Sequence, residues 1–342
     1  MGAESDTAQF FVAFAAQLNK GATLQMKKIF IAGHRGLVGS ATLAALEKQP
    51  GAYEVLTRTR TELDLEDRDA TRAFFLQHRP DYVVMSAAKV GGILANSNFP
   101  VDFLHNNLRI QLNVFDSAHE AGVDRMLFLG SSCIYPRDCP QPIREEYLLT
   151  GPLEATNRPY ALAKIAGVES CWAFNRQYGT RYLAAMPTNM YGPGDNYHPQ
   201  HSHVLPALIR RFHEAKVKGD PEVVVWGSGT PRREFMYSSD LGEAILFLLG
   251  LPDERFAELT HPDVTPLINI GVGEDVTIRE VAELVKQAVG YEGELKLDAT
   301  KPDGTPRKLL DVGRLSALGW EARTPLVTGL QNAYQDFLGR HG

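Results

Sequence analysis

The run Ile29-Phe30-Ile31-Ala32 leads directly into Gly33-His34-Arg35-Gly36-Leu37-Val38-Gly39. No other feature constrains the fold of this chain as strongly. Glycines are needed where a backbone turns tightly, approaches a pyrophosphate, and lets a helix sit on a strand. A helix opening at this point presents free N–H groups and the positive end of its dipole. The segment therefore reads as the strand–helix turn of a β-α-β unit that binds a dinucleotide.

The rest of the chain supports such a unit. Strands are predicted at Ile29–Ala32, Tyr53–Leu56, Tyr82–Ser86, Met126–Leu129 and Tyr182–Met186, with helices over 38–48, 67–77, 101–121 and 160–178. This alternation predicts an α/β protein with a doubly wound parallel Rossmann sheet covered on both faces. After about Asn189 the pattern changes to loops rich in Pro, Gly, His and Asn. The expected organisation is a dinucleotide-binding domain over 27–190 and a smaller, mainly substrate-binding lobe over 191–342. Some segments of the lobe are expected to return to the first domain. Residues 1–26 read as an N-terminal extension, disordered or loosely docked. Glu4 and Asp6 argue against a transit peptide, and Asp6 stands where a myristoylation motif wants Ser or Thr.

Composition narrows the function classes. With 35 Lys and Arg against 41 Asp and Glu, the net charge of −6 gives no electrostatic reason to expect nucleic acid or an anionic membrane as partner. Three cysteines, an odd number at irregular spacing, read as reduced thiols of a cytoplasmic protein. No apolar run reaches the roughly 18–20 residues of a spanning helix.

The second strand of such a fold usually ends in an acid that holds the ribose 2′-OH of NAD. Here it continues as Thr57-Arg58-Thr59-Arg60. Arg58 and Arg60, with Arg35 from the glycine loop, suit a 2′-phosphate, so the expected cofactor is NADP(H). Each arginine has a bland reading as solvated surface charge. Asp64 reads equally as a neighbour of the adenine or as a helix N-cap.

Tyr160 and Lys164 stand at i and i+4, on one helical face. A phenol is a poor acid–base catalyst at neutral pH, and a neighbouring ammonium favours its ionised form. Ser131 and Ser132 follow the fourth strand, at the carboxyl end where such sheets bind ligand. His198, His201 and His203 share one loop, but no nearby carboxylate or thiol pattern completes a metal site, and no metal is expected.

At these residues the sequence resembles the extended short-chain dehydrogenase/reductase family. Within it, the resemblance is to the branch of epimerase-reductases acting on GDP-4-keto-6-deoxy-D-mannose. It is carried by Ile31–Gly36, Ala87-Ala88-Lys89-Val90-Gly91-Gly92-Ile93, Leu129–Pro136, Met186–Asn189, Tyr191-Gly192-Pro193, Val225–Thr230 and Lys301-Pro302-Asp303-Gly304. It runs from about Lys28 to the C-terminus.

The resemblance implies C3/C5 epimerisation followed by hydride reduction at C4. It makes Tyr160 the acid of the reduction, with Lys164 beside it, and Cys133 the base and His203 the acid of the epimerisation. Ser131 is to bond the C4 oxygen. Thiol and imidazole suit proton traffic, since both titrate near neutrality when perturbed. The cofactor contacts it implies are Gly33, His34, Arg35, Gly36, Leu37, Val38, Gly39, Arg58, Arg60, Asp64, Leu129, Gly130, Ser131, Ser132, Lys164, Pro187, Thr188, Asn189, Met190 and His203. Arg211, Trp226, Arg233, Asp303 and Lys308 are to hold the GDP-sugar. It also suggests a homodimer through the helices at 101–121 and 160–178. The competing readings are another NADP-dependent nucleotide-sugar reductase or epimerase of the same fold, and a silent NADP-sensing protein. The second would be expected to have lost Tyr160 or Lys164.

Overall fold

A computed structural model describes residues 26–199, 202–301 and 303–341. The N-terminal extension predicted at 1–26, apart from Met26, and His201 of the histidine loop lie outside the described residues.

The first half alternates strand and helix. In chain order it runs β1 (Lys27–Ala32), helix Leu37–Glu47, β2 (Tyr53–Leu56), helix Arg68–His78, β3 (Tyr82–Met85), helices Ile93–Asn98 and Pro100–Ala121, β4 (Arg125–Leu129), helix Arg158–Tyr178 and β5 (Arg181–Pro187). These strands lie parallel in the order β5-β4-β3-β1-β2. The sixth, β10 (Leu267–Ile270), arrives from far down the chain to pair with β5.

Alternation along the strands builds two cores. Phe30, Val83, Met85, Met126 and Phe128 face the helices Pro100–Ala121 and Arg158–Tyr178. Ile29, Ile31, Val84, Leu127 and Leu129 face the other side. That side is closed by helix Ser238–Leu249, whose Leu241, Ala244, Ile245 and Leu248 are fully buried. Pro100 near the first turn and Gly122 at φ +77° bound the longest helix, and Gly179 at φ +68° ends its neighbour.

The remaining strands are short: β6 (Asn189–Tyr191), β7 (Glu222–Trp226), β8 (Arg232–Arg233), β9 (Phe235–Tyr237), β11 (Val276–Thr277), β12 (Glu294–Asp298) and β13 (Arg307–Lys308). They form small sheets β6-β9, β7-β12 and β11-β8-β13. A third core fills this lobe, from Leu208, Ile209 and Phe212 of helix Val204–Lys218, Val281 and Val285 of helix Ile278–Val289, and Leu330 and Phe337 of helix Leu326–His341. Among the described residues no helix is long and apolar enough to cross a membrane.

Sheet topology places the working surface. The chain passes from β1 outward to β2 and returns past β1 to β3. Crossovers diverge at this point, opening a crevice at the carboxyl ends of β1 and β3.

Candidate active site

A cavity of about 740 Å³ lies in that crevice. Its floor is the glycine loop. Gly33 adopts φ +86°, and a Cβ there would come within 2.7 Å of the Ala87 backbone. A Cβ at Gly39 would lie 2.2 Å from the Gly33 carbonyl oxygen. Both positions thus require glycine, and together they leave a cradle against the first helix that a dinucleotide pyrophosphate fits. Gly36, Leu37 and Val38 complete this wall.

An adjoining cleft of about 310 Å³ is lined by Gly33, His34, Arg35, Gly36, Arg58, Thr59, Arg60 and Thr61. The three arginines predicted to converge here do so. Arg58 rests on the Phe74 ring at 5.2 Å and donates to its neighbour's carbonyl, Thr57 O, at 2.7 Å. Arg60 is exposed and paired with Glu66 at 2.8 Å. An exposed pair of that kind is worth little and exchanges readily for a phosphate. The His34 Nδ1 is buried without a hydrogen-bond partner, an orphaned polar atom on a residue that lines this cleft. Asp64 lines the main cavity, and its carboxylate accepts from Glu66 N at 3.1 Å. It is not a helix N-cap: Asp67 caps the following helix, because Asp67 is the residue placed to accept from Ala70 N, at 3.0 Å. The cradle, the orphaned imidazole nitrogen and the guanidinium cluster all fit NADP(H).

The opposite wall carries the hydroxyl, phenol and imidazole groups. Gly130, Ser131 and Ser132 follow β4, and Tyr160 enters from helix Arg158–Tyr178. Pro187, Thr188, Asn189 and Met190 line the far end with His203. Asn189 is held by donating from Nδ2 to Glu234 O at 2.8 Å. Leu129, Lys164 and Cys133 lie just behind this surface, all buried. Cys133 occupies a short 3₁₀ turn, its N–H donating to Ser131 Oγ at 3.5 Å.

The ionisation states differ from the simplest expectation. Lys164, only 2% exposed, donates to Leu129 O at 2.6 Å, and its ammonium stands 5.7 Å from the Tyr160 ring centroid. Burial lowers its pKa to about 8. The same burial, with Cys133 adding to it, pushes the Tyr160 phenol up instead of down. The phenol is therefore held as the neutral acid. Burial also raises the Cys133 thiol, against a downward pull from Lys308, the Ser131 hydroxyl and Lys164. His203 stands in the cleft, open to water yet ringed by protein, and burial there lowers its pKa. Both shifts favour the neutral thiol and neutral imidazole.

The predicted substrate residues do not line the main cavity; they form two groups beside it. Lys308 and Arg233 are register partners across β13 and β8. Their chain neighbours Arg307 and Arg232 both pair with Asp275. Side chains alternate along a strand, so Lys308 and Arg233 face the other way, and the Lys308 charge acts on both Arg233 and the Cys133 thiol. A Cβ at Gly304 would stand 3.0 Å from the Arg233 guanidinium, which sets Arg233 against the loop of Asp303. The outer group centres on Trp226, 62% exposed, with Arg211 at 5.7 Å and Lys301 at 5.5 Å from its ring. Asp303 accepts from Ser228 Oγ at 2.6 Å and Ser228 N at 2.9 Å.

Sequence reasoning missed three members of this neighbourhood. Lys301 opens the Lys301–Gly304 segment, where nothing in the sequence set it apart from an ordinary surface lysine. Phe103 packs edge-on against Tyr160 at 6.2 Å, and only its apolar spacing on the helix signalled it. Glu234 is fully buried, and nothing in the sequence marked it beyond its place after Arg233. Among the described residues no cluster of His, Cys, Asp or Glu is arranged to hold a metal ion.

Known proteins resemble this chain in sequence and in fold. Residues 29–262 match the family described as the NAD dependent epimerase/dehydratase family. GDP-L-fucose synthase 1 of Arabidopsis thaliana is 55% identical over 91% of this chain and 93% of its own length. GDP-L-fucose synthase of Escherichia coli (strain K12) is 52% identical over 92% of this chain and 98% of its own. A crystal structure of a GDP-L-fucose synthetase from Naegleria fowleri bound to NADP superposes with a TM-score of 0.82 at 27% identity, covering 94% of this chain and 97% of that one.

Proposed function

The chain belongs to the NAD dependent epimerase/dehydratase family, and from that premise we infer that it converts GDP-4-keto-6-deoxy-D-mannose to GDP-L-fucose, using NADPH. One observation carries this reading. Tyr160 and Lys164 stand behind one strand end with Cys133, and the second lobe brings Lys308 to the same thiol. A ketone reductase needs the first two; the thiol and the cationic wall suit a GDP-sugar epimerised before reduction.

The site residues then take the following parts. The glycine loop Gly33–Gly39 holds the pyrophosphate, and Arg35, Arg58 and Arg60 hold the 2′-phosphate with His34. Pro187–Met190, Gly130 and Ser132 shape the nicotinamide end. Residues 27–190 thus chiefly bind cofactor, and 191–342 chiefly bind substrate, while β10 and helix Ser238–Leu249 complete the first domain. Arg211, Arg233 and Lys308 neutralise the two phosphates of GDP, Trp226 offers a flat face to guanine, and Asp303 accepts from a ribose hydroxyl.

The C4 ketone acidifies the hydrogens on C3 and C5. Cys133 removes a proton in its thiolate form, which Lys308 and Lys164 favour against the burial that raises the thiol, and His203 returns one to the opposite face in its protonated form, against the burial that lowers its pKa. Ser131 donates to the C4 oxygen while enolate charge sits there. Bound NADPH supplies the hydride for C4. Tyr160, already protonated, delivers its proton to the C4 oxygen, and Lys164 holds the phenol's surroundings positive as charge develops.

We also read the protein as a cytoplasmic homodimer. Helices Pro100–Ala121 and Arg158–Tyr178 pack side by side and expose Leu112 and Leu162, at 57% and 45%. The free thiols Cys133, Cys139 and Cys171 suit a reducing compartment. Light scattering of the purified chain tests the dimer.

Incubation with NADPH and GDP-4-keto-6-deoxy-D-mannose, with the product identified by NMR, tests the activity. GDP-L-fucose is expected. A sugar reduced at C4 without inversion at C3 and C5 would leave a plain reductase.

A further inference from the structure

Glu234 lies between the cofactor wall and the cationic wall, and the reaction itself gives it no part. It is 0% exposed. Its Oε1 accepts from Val272 N at 2.6 Å and Gly273 N at 2.8 Å, the two residues beyond Gly271 at the exit of β10. Its Oε2 accepts from Leu310 N at 3.0 Å, two residues after Lys308. A Cβ on Gly271 would fall 2.3 Å from Oε1, so that glycine clears the carboxylate's seat.

The backbone of Glu234 is equally engaged. Its N–H donates to Lys308 O at 3.3 Å. Its carbonyl accepts from Asn189 Nδ2 at 2.8 Å and Thr188 Oγ1 at 3.3 Å, and both of these line the cofactor cavity. One residue therefore joins the sheet that holds cofactor to the two-residue strands that carry Arg233 and Lys308. Strands that short cannot fix their own register; two ladder pairs, Arg307–Arg232 and Lys308–Arg233, are all that β13 and β8 share.

We propose that Glu234 is the positioning residue for the Arg233–Lys308 cation pair, setting the affinity of the site for the diphosphate of a nucleoside-diphosphate sugar. The carboxylate is needed as such. Its two oxygens accept three peptide N–H groups, and an amide in the same place turns one NH₂ toward an N–H donor. The seat opens, β13 shifts relative to β8, and the two cations no longer converge. This inference rests on the reading of Arg233 and Lys308 as GDP ligands.

The test is a titration of the full chain with GDP, by calorimetry, for wild type and Glu234→Gln. NADPH binding, followed by nicotinamide fluorescence, is measured in parallel. Glu234→Gln is expected to weaken GDP about tenfold or more and to leave NADPH within about twofold. In turnover, KM for the GDP-sugar rises by a similar factor. A residue that only holds the fold together would lower the melting temperature and leave the GDP affinity of the folded protein intact; that result overturns the proposal. If Glu234→Gln does not fold, Glu234→Asp, which keeps the charge but withdraws it by one methylene, is measured with the same expectation. A wild-type chain that binds NADPH but not GDP would overturn the ligand assignment itself, and this inference with it.

Discussion

Lys308 lies directly opposite Arg233 in the register of β13 and β8, and its charge reaches the Cys133 thiol on the other lobe. The charge of a cation from the last third of the chain thereby acts on a thiol that follows the fourth strand of the Rossmann sheet. On the proposed reading of the site, this charge links the binding of a diphosphate to the proton chemistry of the sugar.

Tyr160→Phe is expected to abolish reduction while leaving NADPH bound, since the phenol oxygen is lost and the ring's packing against Phe103 is kept. Single-turnover loss of nicotinamide absorbance, with a separate fluorescence titration, reads both. Burial holds the wild-type phenol protonated. The hydride step should accordingly stay level across neutral pH and show no phenol ionisation there. Full turnover by the phenylalanine variant would remove Tyr160 from the acid's role.

Cys133→Ser should suppress deuterium incorporation from solvent at C3 and C5 of the keto sugar by about a hundredfold or more, the usual scale of a lost general base. Because burial raises the wild-type thiol, the thiolate fraction grows with pH through and beyond the ordinary thiol range. Exchange should climb over that same span. NMR in deuterated buffer measures it, and unchanged exchange in the variant would exclude the thiol.

Lys164 is a buried ammonium with its pKa lowered to about 8. The unfolded chain therefore holds more protons than the folded one from about pH 8 to the ordinary lysine value near 10.4. The fold bears a cost below that window, and the cost is relieved as pH rises through it. Lys164→Met should remove the buried charge and stabilise the protein at neutral pH by about 1–2 kcal/mol, after the lost bond to Leu129 O is offset. Activity should fall in the same variant. Thermal melts at two pH values check the sign; a variant destabilised equally at both would contradict it.

Arg58→Ala should shift cofactor preference from NADP(H) toward NAD(H) by about tenfold to a hundredfold, mostly in KM, since the guanidinium stands at the cation-lined cleft. Arg60→Ala should have a smaller effect, because that side chain is exposed and already engaged by Glu66. Ratios of kcat/KM for the two cofactors give the comparison.

The first domain was largely legible in the sequence. The predicted strands β1–β5 fall within about two residues of those observed. Fully buried parallel strands must be continuous apolar runs, and glycine spacing at a phosphate loop leaves little freedom. The sixth strand was harder. Leu267–Ile270 is a four-residue stretch interrupted by the polar Asn269 between Pro266 and Gly271, a signal shared by many loops. Only pairing with β5 makes it a strand, and no local propensity encodes a partner that distant.

The sequence by itself determined the glycine cradle, the Tyr160–Lys164 face and the arginines after β2, because each depends on neighbours a few residues apart. Tertiary structure alone decided that the Lys308 charge acts on Cys133, that Trp226 gathers Arg211 and Lys301, and that Glu234 seats three peptide N–H groups. It also decided the protonation states: desolvation depends on everything packed around a group, and it turned the phenol upward where adjacency to an ammonium had suggested the reverse. Short-range geometry is written in spacing, whereas burial and long-range charge exist only once the chain has closed on itself.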